Sequence, residues 1–323
     1  MGRDLCGGGA AAPGRRACDV STPRVSIVLP TRNGAATLPA VLDAISRQRV
    51  DCPFEIIAVD SSSTDGTAEL LRSRVDRLIT IAADEFDHGL TRNLGVEQAR
   101  GELVVLLVQD ALPASDSWLA ALTAPLLADD RLAGTFARQL PRPDASPIAR
   151  HYLQRSVASS GVARTIAVES RAALDVLEPM AQLDHCAFDN VCSCIRRSVW
   201  ARHPFRQTPI GEDIEWAREV LIAGYRLAYV PASEVIHSHD RSARYELVRT
   251  YVLHRRLCEL FRLRTIPTLP LLVRAIASSL ELHWRCQPFS GRAVALAFAW
   301  PFGQYLGALS AVRGWKPNRS RMV

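Results

Sequence analysis

The sequence of 323 residues has almost no lysine: Lys316 is the only one, and arginine supplies the other 38 basic side chains. The formal net charge is +6, yet the longest basic stretches are pairs, at Arg15-Arg16, Arg196-Arg197 and Arg255-Arg256. Nucleic-acid-binding proteins usually cluster their cations on one face or in runs, often with aromatic residues between them. The charge pattern therefore predicts no nucleic-acid partner.

Paired-cysteine motifs are also missing. None of the eight cysteines forms a CxxC pair, and the spacing of Cys192 and Cys194 is too tight for an ordinary zinc finger. Residues 1–22 are rich in glycine, alanine and arginine and contain no apolar signal-peptide core. We therefore expect free thiols in a reducing cytoplasm, and a disordered leader over residues 1–23.

Two further absences concern cofactors and membranes. No GxGxxG follows the first predicted strand, which disfavours a nicotinamide dehydrogenase. The uncharged stretch 293–312 is long enough to span a bilayer, but Pro301, Gly303 and Gly307 interrupt it and basic residues flank it. A buried helix pair, or a segment resting on anionic lipid, explains this stretch better than a transmembrane span.

Strand-length apolar runs alternate with stretches of helical spacing along the first 110 residues. The order βαβαβαβ predicts a parallel sheet covered by helices on both faces, and the continuous apolar run 103–108 predicts a central strand. The predicted strands are 25–30, 54–59, 78–82 and 103–108, and the predicted helices are 37–47, 67–75 and 91–99. Beyond them we predict strands at 192–196 and 227–230, a helix at 213–223 and a mainly helical remainder from Ser242.

Polar residues follow three of these strands at their carboxyl ends. They are residues 31–33, 60–65 and 109–110. Ligands of parallel α/β sheets bind beyond the carboxyl ends of the strands. The sequence therefore predicts one pocket at this edge.

Two acidic segments at this edge each allow two interpretations. Asp60 and Asp65 can bind ribose hydroxyls or a base N–H, or they can simply end a strand and cap a helix. Asp110 can hold a divalent cation on a diphosphate, because Mg²⁺ needs only one or two protein carboxylates when phosphates supply other oxygens. Equally, Asp110 can be a solvated turn residue.

Two later motifs are open in the same way. Glu212 and Asp213 begin a predicted helix, where the helix dipole stabilises acids without any function, but a carboxylate there can also serve as general base for a hydroxyl nucleophile. The histidines of His237-Ser-His239-Asp240 can complete a metal shell or contact phosphate, or they can lie in a surface loop. No further ligand cluster supports a catalytic zinc site.

Five segments together resemble family 2 glycosyltransferases with the GT-A fold. They are VSIVLPTRNGAATL, EIIAVDSSSTDGTAEL, DHGLTRNLGVEQARGELVVLLVQDALP, FDNVCSCIRRSVW and GEDIEWAREVLIAGYRLAYVP, and they follow the family's order between about residues 25 and 240. The Asp87-His88-Gly89, Thr91-Arg92-Asn93 and Gln109-Asp110-Ala111 motifs are most similar to the rhamnosyltransferase branch.

This resemblance implies an α/β fold, a GT-A-type Rossmann-like nucleotide-binding sheet with helices on both faces, plus a mainly helical C-terminal extension. We expect the glycosyltransferase domain over residues 24–240, with a nucleotide-sugar donor half at 24–112 and an acceptor half at 113–240. Residues 241–323 would form the extension, a candidate for membrane contact.

The resemblance also assigns site residues. The donor-binding set would be Pro30, Thr31, Asn33, Asp60, Ser62, Asp65, His88, Arg92, Asn93, Gln109 and Asp110. Asp213 would be the catalytic base, and Asn190, Glu212 and Trp216 would lie at or behind the acceptor site. Asp110 and His237 would bind the divalent cation, Mg²⁺ or Mn²⁺. Because Gln109-Asp110-Ala111 departs from the common Asp-x-Asp pattern, the number of metal contacts stays open.

The activity implied is inverting transfer of a single sugar, L-rhamnose from dTDP-rhamnose, to a hydroxyl of a cell-envelope glycan or lipid-linked acceptor. The expected location is the cytoplasm, with peripheral contact at the inner membrane face. The Gln-x-x-Arg-Trp motif of processive synthases is absent, which favours single transfer. One alternative is transfer of another sugar from a UDP or GDP donor. A second is a non-catalytic nucleotide-sugar-binding protein, but the presence of both Asp110 and the Glu212-Asp213 pair argues against it.

Overall fold

A central mixed β-sheet organises the chain in the computed structural model, which describes residues 22–286, 288 and 290–314. The first 21 residues of the expected leader lie outside this range. The strands are β1 (Val25–Thr31), β2 (Phe54–Asp60), β3 (Arg77–Thr80), β4 (Leu103–Leu107), β5 (Leu112–Pro113), β6 (Leu132–Leu140), β7 (Arg164–Ile166), β8 (Cys192–Arg196) and β9 (Arg226–Ile236).

Helices cover the sheet and form the C-terminal extension. They are α1 (Leu38–Ser46), α2 (Thr67–Arg72), α3 (His88–Glu97), α4 (Trp118–Ala128), α5 (Pro147–Gln154), α6 (Arg171–Asp175), α7 (Pro179–His185), α8 (Arg197–Trp200), α9 (Glu212–Ile222), α10 (Ala243–Phe261), α11 (Leu269–Cys286) and α12 (Gly291–Val312).

The strand order is β3-β2-β1-β4-β8-β6-β9-β5, with β7 added on β9. Strands β1 to β4 pair parallel with one another, as predicted from the βαβαβαβ order. Beyond these four strands the sheet is mixed, since β8 pairs antiparallel with both β4 and β6. Because β6 is also antiparallel to β8, it runs in the direction of β4, and the chain reverses in the segment between β6 and β8, which carries α5, β7, α6 and α7. The mixed sheet brings the ends of β6 and β9 to the edge where β1, β2 and β4 end.

One helix begins earlier than the sequence predicts, and one helix is not predicted at all. Helix α3 begins at His88 rather than Thr91, because the Asp87 carboxylate accepts hydrogen bonds from the backbone N–H of Gly89 and Leu90, at 3.0 Å each. Helix α4 was not predicted, since its sequence WLAALTAPLLA has no polar stripe to reveal a helical period.

The core lies on both faces of the sheet. On one face Ile27 and Val105 pack with α1 and α4, and on the other Val28 and Leu106 pack with α3 and α9. All five residues of β4 are buried, as expected for the central strand of a sheet covered on both sides. Burial of these apolar runs is the main force that fixes the sheet edge carrying the polar residues.

The C-terminal helices α10, α11 and α12 pack on one another. Gly303 and Gly307 of α12 lie against α10 so closely that a Cβ on Gly307 would be 2.3 Å from the carbonyl oxygen of Tyr251. The glycines that interrupt the apolar stretch therefore serve helix packing. Across the described residues, none of the helices combines the length and the hydrophobicity that crossing a bilayer demands.

Candidate active site

The loops after β1 and β2 are held together by the Asp60 carboxylate. Its Oδ1 accepts hydrogen bonds from Thr31 Oγ1 at 2.9 Å and from Ser63 Oγ at 2.6 Å, and its Oδ2 accepts one from the Ser63 N–H at 2.9 Å. Thr31 and Asp60 are 3% and 1% exposed. Both carboxylate oxygens are thus used within the protein, so these two residues shape the pocket from beneath.

The exposed rim of these loops carries Asn33, Ser62 and Asp65, with the half-buried Pro30 behind it. Asn33 and Ser62 have positive φ angles of 47° and 53°, and the Asn33 side-chain oxygen accepts a hydrogen bond from the Thr64 N–H at 2.9 Å. Such constrained backbone leaves the loops with a defined shape before any ligand binds.

Asp65 joins α2 to the loop after β1. Its carboxylate accepts hydrogen bonds from Thr67 Oγ1 at 2.5 Å and from the Ala35 N–H at 3.0 Å. The Thr67 hydroxyl is the main reason that the pKa of Asp65 lies below its ordinary value. Asp65 is therefore engaged in loop structure.

Gln109 likewise serves the framework. Its side-chain amide pairs with both backbone groups of Arg32, accepting from the N–H at 2.8 Å and donating to the carbonyl at 2.9 Å. This double hydrogen bond fixes the end of β1 to the end of β4. The next residue, Asp110, faces a different set of partners.

Asp110, His237 and His239 form a cluster at this edge. Asp110 Oδ1 is 3.7 Å from His237 Nε2, and Asp110 Oδ2 is 3.4 Å from His239 Nε2. One ligand atom from each residue lies within 4.8 Å of the others. A carboxylate and two imidazoles at this spacing fit a divalent cation.

Two residues behind the cluster orient His237. The Nδ1 atom of His237 is 3.1 Å from Gln139 Oε1, and Gln139 Nε2 donates to Asp189 Oδ2 at 2.5 Å. Because the amide oxygen can only accept, Nδ1 carries the proton and Nε2 keeps its lone pair towards Asp110. Buried contacts of this kind fix the tautomer and ring orientation of metal-binding histidines.

Burial keeps both imidazoles of the cluster neutral. It lowers the pKa of His237 to about 4, with the Asp110 charge acting in the opposite direction. Burial and then the Arg241 guanidinium also lower the pKa of His239. Neutral imidazole is the form that binds metal, so no proton has to leave these rings at neutral pH before a cation binds.

Asp213, in the first turn of α9, is partly exposed and has a strongly perturbed carboxyl group. Loss of hydration, followed by the negative charges of Glu212 and Asp189, raises its pKa to about 8. Its Oδ1 accepts a hydrogen bond from the Ile214 N–H at 2.8 Å, and its Oδ2 one from the Asn190 N–H at 3.3 Å. A carboxylate with a pKa near neutrality suits general-base chemistry.

A buried ion pair supports this turn. Arg92 Nη1 lies 3.1 Å from Glu212 Oε1, and both side chains are 6% exposed. The same Nη1 donates to the His88 carbonyl at 2.8 Å, and the Asn190 amide donates to Glu212 at 3.4 Å. Arg92, His88, Asn190 and Glu212 thus form one network that ties the start of α3 to the start of α9. Burial lowers the pKa of His88.

Two of the residues assigned by resemblance lie behind the pocket. Asn93 accepts a hydrogen bond from Trp200 Nε1 at 2.8 Å and donates to the Phe205 carbonyl at 2.8 Å. Trp216 is 1% exposed, packs against Phe188 and Phe205, and donates to the His203 carbonyl. These positions hold α3 and α9 in place and offer no free surface to a ligand.

The metal cluster and Asp213 lie at the same edge of the sheet, joined through Asp189 and Asn190. Asp189, which is hydrogen-bonded to Gln139 behind His237, is close enough to Asp213 for its charge to raise the pKa of that carboxyl. Burial raises the pKa of Asp189 itself. One short path of side chains therefore leads from Asp110 to Asp213.

Four residues around this path were missed as site residues by sequence reasoning: Gln139, Asp189, His239 and Arg249. His239 belonged to a recognised motif, and Asp189 precedes Asn190, but nothing local to Gln139 or Arg249 distinguishes them. Arg249 lies on α10, and its positive charge contributes to the lowered pKa values of His88, His237 and His239.

Residues 26–166 match the family model described as Glycosyl transferase family 2. The O-antigen chain rhamnosyltransferases RfbN of Salmonella typhimurium and WbaN of Salmonella anatum are each 30% identical over 233 residues, or 71% of this chain and 70% of theirs. The chain belongs to glycosyltransferase family 2. This glycosyltransferase is also 26% identical to glycosyltransferase AglE of Haloferax volcanii, over 70% of each chain.

Solved structures of other glycosyltransferases share the GT-A fold. A mannosyltransferase from Pyrobaculum calidifontis, solved with GDP-Man and Mn²⁺, is 20% identical with a TM-score of 0.50, covering 94% of this chain and 80% of its own. Glucosyl-3-phosphoglycerate synthase from Mycobacterium tuberculosis, solved with Mn²⁺, UDP-glucose and phosphoglyceric acid, is 20% identical with a TM-score of 0.52, covering 73% and 79%. This glycosyltransferase thus shares its fold with both enzymes.

Proposed function

We propose that this glycosyltransferase transfers L-rhamnose from dTDP-rhamnose, with inversion at the anomeric carbon, to a hydroxyl of a cell-envelope glycan or lipid-linked acceptor. The proposal rests on one observation: Asp213 lies at the same edge of the sheet as the Asp110–His237–His239 cluster. The names of the two Salmonella relatives support rhamnose as the sugar. The proposal includes a donor half at residues 24–112 and an acceptor half at 113–240.

The donor would lie across the ends of β1, β2 and β4. The exposed Asn33 and Ser62 would contact its nucleoside, over the floor made by Thr31 and Asp60. A cation held by Asp110, His237 and His239 would offset the charge that develops on the departing nucleotide diphosphate. Arg249 adds a fixed positive charge beside the same residues.

Asp213 would act on the acceptor. Its carboxylate removes the proton from the acceptor hydroxyl as that oxygen attacks the anomeric carbon from the side opposite the diphosphate, which inverts the configuration. General-base assistance typically contributes about 10² to 10⁴-fold. Arg92 is paired with Glu212, so it positions the first turn of α9 instead of contacting the diphosphate.

The function is tested by donor screening followed by a base variant. We expect dTDP-rhamnose with Mn²⁺ to raise the melting temperature more than UDP- or GDP-sugars do, and to support transfer to a glycan acceptor. Asp213→Asn should lose at least about 100-fold in transfer while the donor dissociation constant changes little. Asp184→Asn, an exposed aspartate on α7, is the control. Near-normal turnover by Asp213→Asn would exclude this residue as the base.

We further propose a cytoplasmic enzyme with peripheral contact at the inner membrane face. On α12, Phe298 and Phe302 are stacked 6.2 Å apart and 37% and 36% exposed. Trp284 and Val273 of α11 are 74% and 68% exposed. Aromatic and aliphatic side chains near arginines suit an anionic lipid surface. The fraction of protein that floats with anionic vesicles should fall for the double variant Phe298→Ser/Phe302→Ser. It should stay unchanged for Val176→Ser, which removes an exposed valine outside α11 and α12.

A further inference from the structure

A cavity of about 490 Å³ lies between the end of α11 and the start of α12. Leu280, His283 and Trp284 line it from α11, and Ala293 and Val294 line it from α12. Its volume falls within the roughly 300–1,000 Å³ typical of small-molecule sites, and such sites are mostly apolar with a few polar groups. Because an apolar void forfeits packing contacts, a hydrocarbon occupant would restore them.

The lining includes one buried polar atom with no hydrogen-bond partner among the described residues, the Nε2 of His283. His283 is 2% exposed, and its Nδ1 is bonded to the Ser279 carbonyl at 2.8 Å. An unmet buried polar group costs about 1–3 kcal/mol. Because Nδ1 donates to the Ser279 carbonyl, Nε2 can accept a hydrogen bond from a ligand hydroxyl that lies next to an apolar chain. This points to an amphiphile.

The start of α12, which lines the cavity, is linked to the segment that follows the metal cluster. Arg292, which precedes Ala293 of the lining, donates a hydrogen bond from Nη2 to the carbonyl of Arg241 at 3.4 Å. Arg241 lies two residues after His239 of the metal cluster. A chain bound in the cavity would therefore hold its attached head group close to the place of transfer.

Charged and amphipathic side chains lie at the rim of the cavity. Arg285 is paired with Glu281 at 2.5 Å, and Arg292 precedes Ala293 of the lining and adds a further positive charge. Trp284 is 74% exposed at this place, and tryptophan favours positions where an apolar body meets a polar boundary. The rim thus suits a lipid phosphate and the interior suits its chain.

We propose that this cavity binds the hydrocarbon chain of a lipid-linked acceptor during sugar transfer. The proposal rests on the proposed function, because it supplies the acceptor class for the same site. It predicts that the apolar chain lowers the KM of the acceptor through contacts that the sugar does not make. Each buried methylene contributes about 0.8 kcal/mol, or roughly fourfold in affinity.

The first test measures binding without catalysis. Farnesyl phosphate should bind the full-length protein in isothermal titration calorimetry, and Val294→Trp, which fills the cavity, should weaken binding at least about tenfold. Val176→Trp is the matched control, since it adds the same side chain at an exposed position outside the lining and outside the proposed lipid-contacting surface. Leu280→Ser, which removes part of the apolar wall, is the second variant and should also weaken binding. Equal affinity of all four proteins for farnesyl phosphate would overturn the proposal.

The second test separates this proposal from the function itself. Val294→Trp should raise the KM for a farnesyl-diphosphate-linked acceptor and leave the KM for a soluble glycan acceptor unchanged. Equal KM values for the lipid-linked acceptor in Val294→Trp and wild type would overturn the proposal for the cavity and leave the proposed transferase function unaffected. Binding of farnesyl phosphate without any transfer would refute the function instead. Preference for short-chain phosphatidylglycerol over farnesyl phosphate would assign the cavity to membrane lipid and overturn the acceptor.

Discussion

The Nε2 atoms of His237 and His239 lie 2.9 Å apart, and each faces a different oxygen of Asp110. Two neutral imidazole nitrogens approach this closely when a proton lies between them or when their lone pairs share a cation. Gln139 already takes the Nδ1 proton of His237. His237 Nε2 therefore carries a lone pair, which accepts the His239 proton in the first case and binds the cation in the second.

Removing the His239 imidazole should abolish metal binding and leave the protein folded. We expect Mn²⁺ to raise the melting temperature of the wild type in the presence of a nucleoside diphosphate, and EDTA to abolish transfer reversibly. His239→Ala should lose the Mn²⁺-dependent shift and about 100-fold or more in activity, because one of three ligands is gone. His151→Ala, a histidine of α5, should keep both. A full Mn²⁺ shift in His239→Ala would show that the cation binds elsewhere.

Gln139 should tune the metal site without touching the metal. Gln139→Leu removes the acceptor that fixes the His237 tautomer, so Mn²⁺ affinity should fall about 10- to 100-fold. Gln139→Glu keeps an acceptor oxygen and should recover part of that affinity. Titration of Mn²⁺ followed by electron paramagnetic resonance gives the dissociation constants directly. Gln98→Leu, at the exposed end of α3, serves as control, and an affinity of Gln139→Leu equal to that of this control would exclude the positioning role.

Activity should follow the ionisation of Asp213. Its pKa of about 8 lies above the ordinary 3.8, so the carboxyl is largely protonated at neutral pH, and kcat/KM should rise with pH and level off above about 8. The raised pKa stabilises the fold fully below pH 3.8, and that contribution is lost as the pH rises towards 8. Asp213→Asn should therefore gain melting temperature over the wild type, most clearly above pH 8. A pH-independent kcat/KM between pH 6 and 9 would contradict the assignment.

Breaking the buried Arg92–Glu212 pair should affect both stability and the pH profile. Glu212→Gln leaves the Arg92 guanidinium buried without its counter-charge, which typically costs about 3–5 kcal/mol in unfolding free energy. It also removes a negative charge that raises the pKa of Asp213, so the activity profile should move to lower pH. Urea unfolding and kcat/KM profiles measure the two effects. Glu259→Gln, in the exposed ion pairs of α10, should change neither by much.

Arg249 should act on the diphosphate. Arg249→Met removes a positive charge close to His88, His237 and His239, and should raise the donor KM about tenfold with a smaller effect at high salt. Arg244→Met, on the same helix, loses the same charge without that proximity. Donor KM values are measured for both variants at 50 mM and 500 mM salt, between which the Debye length falls roughly threefold. An equal rise in donor KM for both variants would show that Arg249 contributes only general surface charge.

The local parts of the fold were predictable from sequence. The strands β1, β2, β4 and β8 were predicted nearly to the residue, because each is a short and mostly apolar run. Strand β6 was missed because it is almost wholly buried, and α4 because its exposed face carries only alanine and leucine, which leave no polar stripe in the sequence. The antiparallel direction of β8 depends on how the segment between β6 and β8 returns the chain.

The site divides in the same way. The ends of β1, β2 and β4 mark Thr31, Asp60 and Asp110 through topology alone, because parallel strands end at a common edge. Whether such a residue faces a ligand or supports its neighbours depends on its contacts. Gln109 turned to the backbone of Arg32, while Asp110, one residue further on, faces two histidines.

By itself the sequence determined the alternating strands and helices, the edge where the pocket lies and the acids at that edge, since hydrophobic periodicity and helix capping act between residues that are near in the chain. Only the tertiary structure decided that Gln139 and Asp189 stand behind His237, and that burial places the pKa of Asp213 near 8. The reason is physical: hydrogen-bond partners and loss of hydration are properties of neighbours in space, and these residues are 50 to 98 positions apart along the chain.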